Sequence, residues 1–92
     1  MGKDQMTVLA LTSEHVRAAR ALLRWEQQTL ADRSGVSLPS IKRLETKIGP
    51  MGAYESTVAA IRGTFEKAGI EFLNHGEPGV RLRKRSGVPA SK

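Results

Sequence analysis

Apolar residues recur every three or four positions along most of this chain, and near its C-terminal end they recur every second position. Val16, Ala19 and Leu23 form one such stripe, which predicts a first helix running to about Arg24. Thr12 or Ser13 offers its N-cap, and Glu14 lies in the first turn, where the helix dipole favours a negative charge. Arg20 falls on the apolar face of this helix, an unexpected place for a charge.

A second helix fits residues 27–34 and is closed by Gly35, a residue suited to a left-handed backbone. A third starts after Ser37 as N-cap, and the proline in GVSLPSIKRLE, residues 35–45, then has a reason. First-turn amides have no acceptor inside a helix, so Pro39 loses nothing by lacking an N–H there. The residue before a proline resists helical angles, so Leu38 is either mildly strained or lies at the cap. Along this helix Ile41, Leu44 and Glu45 share one face, while Pro39, Lys42, Arg43 and Thr46 share the other. One side packs and the other, a basic one, looks outward.

Two glycines and a proline in residues 48–55 predict a loop. Ser56 or Thr57 then opens a fourth helix with Val58, Ile61, Phe65 and Ala68 as its buried stripe and Gly69 beyond its end. Past it the period changes to two. Ile70 and Phe72, then Val80 and Leu82, alternate with Glu71, Arg81 and Arg83 across the turn-rich NHGEPG, which predicts a β-hairpin. Residues 6–11 are a short apolar run, a strand or an arm, and residues 84–92 read as a basic disordered tail. The expected organisation is therefore an N-terminal arm over 1–12, a mainly helical domain over 13–69, a hairpin over 70–83 and the tail.

Charge changes the picture only when its placement is added. Fifteen Lys and Arg against nine Asp and Glu give +6 at neutral pH, which favours a polyanionic partner. At 92 residues the chain is one small domain, burying roughly 60–65% of its unfolded surface, and a deep catalytic cleft would consume much of that core. No cysteine is present, so no disulfide frame or thiolate metal site is available. His15 and His75 stand far apart and no carboxylates cluster with ligand spacing, so the expectation is no enzyme, metal or cofactor. There is no apolar run of about 18 residues and no signal-peptide pattern, which suits the cytoplasm.

A helix, a glycine turn and a short helix with an outward polar face is the plan of a helix-turn-helix. QQTLADRSGVSLPSIKRLET, residues 27–46, resembles the DNA-binding motif of the phage Cro/repressor (XRE-like) type of transcriptional regulator. Gln27 opens the first helix of the motif, Leu30 and Ala31 stand where its helices touch, Gly35 stands at the turn, and Val36, Ile41 and Leu44 occupy core positions. Upstream, RAARALLRW resembles that family's first helix, and the similarity spans residues 13–68. Glu26 departs from the pattern, where a Ser or Thr cap is usual, and Ser34 stands where an apolar residue is more common.

The resemblance implies a four-helix Cro/repressor-like domain, here followed by a hairpin, that binds double-stranded DNA as a sequence-specific regulator, a repressor or autoregulator. It implies that Arg20 and Glu45 pair internally, and that Ser37, Leu38, Pro39, Lys42 and Arg43 approach the bases. Arg43 suits guanine, whose O6 and N7 accept its fork, for about 1–3 kcal/mol of discrimination. Leu38 either presses on thymine methyls with Pro39 or joins the core. Gln27, Gln28, Ser40, Thr46 and Lys47 are the expected phosphate contacts, which position the helix without reading sequence. Arg17, Arg24 and Arg33 read as ordinary surface residues, and Trp25 as core between the first two helices. The hairpin's apolar face needs a cover, which the fourth helix could provide. Alternatively an exposed strand edge pairs with residues 6–11 or with the twin hairpin of a second subunit, so Ile70, Phe72, Val80 and Leu82 are candidates for a homodimer interface on a palindrome with half-sites about 34 Å apart. The rival reading is a protein-interaction module of the same fold, an antitoxin partner or antiactivator.

Overall fold

The structure, a computed structural model, describes residues 11–46, 55–73 and 79–83. The expected arm before Leu11, Lys47, the loop at 48–54, the hairpin turn at 74–78 with His75, and the tail at 84–92 lie outside the described residues. The fold is mainly helical with a two-stranded antiparallel hairpin at its C-terminal end, as the periodicities predict.

Helix α1, Ser13–Leu23, is capped by Thr12, whose extended backbone lets its hydroxyl accept from the His15 amide at 3.1 Å. His15 answers by accepting the Thr12 amide on Nδ1 at 3.1 Å, so an imidazole closes a capping box that Glu or Gln usually completes. Donation into Nδ1 places the proton of a neutral ring on Nε2, a buried atom with no hydrogen-bond partner. At the other end Arg24 takes a left-handed conformation, φ 59°, and the Trp25 amide donates back to the Arg20 carbonyl at 2.9 Å. Such a backbone costs a non-glycine residue about 1 kcal/mol.

Helix α2, Gln27–Ser34, ends on Gly35 at φ 80°, and residues 35–37 turn the chain into helix α3, Leu38–Thr46. Ser37 caps α3: its hydroxyl accepts from the Ser40 amide at 3.3 Å, and its carbonyl accepts from the Ile41 amide at 3.0 Å. Pro39 is thus the second helical residue, inside the turn whose amides need no internal acceptor. Helix α4 spans Glu55–Lys67 and starts before the expected Ser56 or Thr57 cap. Ala68 falls in the turn beyond the helix and is only partly buried, which corrects its place in the buried stripe. Gly69 at φ 103° then redirects the chain into the sheet.

Leu30 and Ala31 of α2, Ile41 and Leu44 of α3, Val16 and Ala19 of α1, and Ile61 and Phe65 of α4 form one apolar core. Trp25 stacks on Phe65 with ring centroids 5.7 Å apart, sealing the α1–α2 junction against α4. Strand β1, Ile70–Leu73, pairs with β2, Gly79–Leu82, in the register Ile70 with Leu82 and Phe72 with Val80. That places all four apolar side chains on one face.

This face is covered in part by the chain itself. Ile70 is buried, Phe72 and Val80 pack on the core, and the Phe72 ring meets Phe65 at 6.2 Å and His15 at 5.7 Å. A two-stranded hairpin is marginal alone, and α1 and α4 supply its cover, leaving Phe72 and Val80 partly exposed. Of the four, Leu82 is the most exposed, at 41%.

Candidate nucleic-acid interface

Helix α3 has two faces with opposite fates. Ile41, Leu44 and Glu45 are buried, and Pro39, Lys42, Arg43 and Thr46 are exposed in a row along the other side. Glu45 is the helix's only carboxylate and it points inward, so the outer face carries two cations and no acid. Neither Lys42 nor Arg43 makes a side-chain hydrogen bond or ion pair within the described residues, which leaves their donors free for a ligand.

The inner face fixes the helix. Arg20 of α1 meets the Glu45 carboxylate through two N–H groups, Nε to Oε2 and a terminal nitrogen to Oε1, each at 2.7 Å. Its third contact is to the Trp25 carbonyl at 2.9 Å. The Glu45 side chain is 4% exposed and that of Arg20 20%, so each needs the other in a place where water is scarce. The Glu45 backbone carbonyl also accepts from Arg17.

Gln27 does not stand as the resemblance implies. Its side-chain amide turns inward and donates to Glu45 Oε1 at 3.2 Å, because that oxygen retains acceptor capacity after pairing with Arg20. What α2 offers outward is its backbone: Glu26 is the N-cap and makes no side-chain capping bond, so it leaves the first-turn amides uncapped. Gln28 is exposed, with its amide held by Asp32 at 2.8 Å.

Several other expected contact residues are likewise engaged with the protein. The Ser37 hydroxyl donates to that of Ser40 at 2.9 Å, and the Thr46 hydroxyl donates to the Arg43 carbonyl at 2.8 Å. Leu38 is partly buried against the core rather than standing in the exposed row. Pro39, Lys42 and Arg43 are what the outer face presents without a prior commitment. The inward turn of Gln27 carries no sequence signal, since it depends on where α1 brings Arg20.

A groove of about 280 Å³ lies apart from α3, lined by Trp25, Arg33, Thr64, Lys67 and Ala68. The Arg33 guanidinium lies 4.9 Å from the centre of the Trp25 ring, a cation–π contact that gives this surface arginine a packing role. The lining has two bases and neither a carboxylate nor an imidazole, so it assembles no acid–base pair. Among the described residues no three His, Cys, Asp or Glu gather as metal ligands, and no helix is long and apolar enough to cross a membrane.

No protein-family model and no curated protein matches this sequence.

Proposed function

We propose that this chain is a sequence-specific DNA-binding transcriptional regulator of Cro/repressor type, acting as a homodimer on a palindromic operator, with α3 lying in the major groove. The observation that carries the reading is the division of α3: an inner face locked by the Arg20–Glu45 pair and an outer face of Pro39, Lys42 and Arg43 with no exposed carboxylate. A helix of 9 residues held rigidly and exposed along one cationic row is what groove reading needs. Arg43 reads a guanine through its fork, Pro39 makes apolar contact, and Lys42 and the α2 amides grip phosphates.

Large side chains left over for pairing two copies are few. Leu22 and Leu82 are the exposed large hydrophobics among the described residues, and beside Leu82 on the hairpin Phe72 and Val80 are partly exposed.

The test is enrichment of genomic DNA fragments by the purified protein against a Lys42→Ala, Arg43→Ala double variant. Expected are a defined set of bound fragments, loss of that set in the variant with folding intact, and log K falling by about 0.9 per phosphate neutralised as log salt rises. Salt-insensitive capture of a protein, with no DNA selected, would favour the interaction-module reading instead.

A further inference from the structure

We infer that Arg17 is a positioning residue for the reading helix, holding the backbone of α3 without touching DNA itself; this rests on the proposed DNA reading. The last carbonyls of a helix lack internal donors, and in α3 two of them are met by side chains. Thr46 donates to the Arg43 carbonyl from within the helix, and Arg17 donates to the Glu45 carbonyl from α1.

Arg17 and Arg20 stand three residues apart, on neighbouring turns of α1, and both end on Glu45. Their grips differ in kind. Arg20 holds the carboxylate, which sits at the end of a rotatable side chain, so alone it tethers α3 but lets the helix pivot about that chain. Arg17 holds a backbone carbonyl, which is rigid with the helix axis, and the two anchors together fix the tilt at which Pro39, Lys42 and Arg43 are presented. Groove reading tolerates little error in that tilt. Arg17 is 42% exposed along its side chain and has Glu14 at 3.9 Å, so its charge is balanced on α1, and its removal takes a donor from the Glu45 carbonyl while leaving the buried Arg20–Glu45 ion pair in place.

The experiment compares wild type with Arg17→Ala and Arg17→Lys on a selected operator across a salt series, together with amide exchange of Leu44, Glu45 and Thr46 in the free protein. The alanine variant is expected to bind about five- to tenfold more weakly at every salt, with the slope of log K against log salt unchanged. The lysine variant, which keeps a donor, regains most of that loss. Exchange of the three amides speeds up in the alanine variant whether or not DNA is present.

A slope reduced by about 0.9 per subunit in the alanine variant would show Arg17 on a phosphate and overturn the positioning role. Unchanged affinity or unchanged amide exchange overturns it too. If the wild-type protein selects no DNA while exchange still speeds up, the DNA reading fails and the anchoring of α3 by Arg17 stands.

Discussion

Arg20–Glu45 and Arg81–Glu71 place the same chemistry in two settings. Both glutamates take two N–H groups from one guanidinium, at 2.7 and 2.7 Å in the first pair and at 3.2 and 2.5 Å in the second. The first joins α1 to α3 with side chains 20% and 4% exposed; the second crosses the outer face of the hairpin with side chains 61% and 37% exposed. Distance does not separate them, but the alternative open to each partner does. Glu71 released from Arg81 turns to water, whereas Glu45 released from Arg20 is left as a charge inside the protein. A buried pair thus makes its partner obligatory, and this one stands behind the helix proposed to read DNA.

The comparison breaks most visibly at Arg20→Ala. Glu45 keeps the Gln27 amide but loses both charged bonds, and the Trp25 carbonyl loses its donor as well. The expected loss is about 3 kcal/mol or more, which for a domain of this size lowers the melting temperature by about 15 °C. Calorimetry or thermal circular dichroism reads it, and a retained melting temperature would mean that Glu45 is better hydrated than its burial indicates.

A second variant sharpens the question of what the pair contributes beyond avoiding that loss. Replacing both partners with apolar residues of similar volume, Arg20→Met with Glu45→Leu, removes the charges and their desolvation cost together. In a site containing only the two charges this is commonly neutral or stabilising. Here the Trp25 carbonyl and the Gln27 amide are left behind, so recovery is incomplete, with about 1–2 kcal/mol still missing relative to wild type. Full recovery would show that water reaches both groups.

The two pairs also mark how far the sequence could be read. Glu45 was assignable because helical spacing puts it on the inward face of Ile41 and Leu44, Arg20 because it falls on the stripe of Val16 and Ala19, and their pairing because the resemblance implies it. Gly35 and Ser37 delimit α2 and α3 for the same reason: each residue type has one strong local use. What could not be read depends on contacts between elements. Arg24 ends α1 in a conformation that usually calls for glycine, and nothing nearby in sequence announces it. The side chain of Gln27 turns inward because Glu45, 18 residues on, has an acceptor to spare. Alternation placed Ile70, Phe72, Val80 and Leu82 on one face of the hairpin, but not whether another subunit or the chain's own helices would cover it. The T-shaped contact of Phe72 with His15 shows α1 covering part of that face, and it follows from His15 being drawn into the cap of α1.

The smallest effect belongs to the hairpin pair, and its pH dependence separates charge from packing. The hydrogen bond from Arg81 holds the Glu71 carboxyl below its ordinary value of 4.5; slight desolvation opposes this, and the charges of Arg81 and Arg83 reinforce it. A carboxylate depressed in the folded state stabilises at pH values above its unfolded value, and that contribution is lost as pH falls through the folded one. Glu71→Gln keeps an acceptor opposite Arg81 and removes only the charge, so at neutral pH its melting temperature should lie about 2 °C or less below wild type. As the pH is taken below 4.5 the two curves should converge, because the wild-type carboxyl then becomes neutral as well. In 1 M salt at neutral pH the gap should also close, since the pair is open to solvent. A gap that widens on acidification, or one comparable to that of Arg20→Ala, would mean that the hairpin's outer face is covered by something, and the contrast between the two pairs would no longer be one of burial.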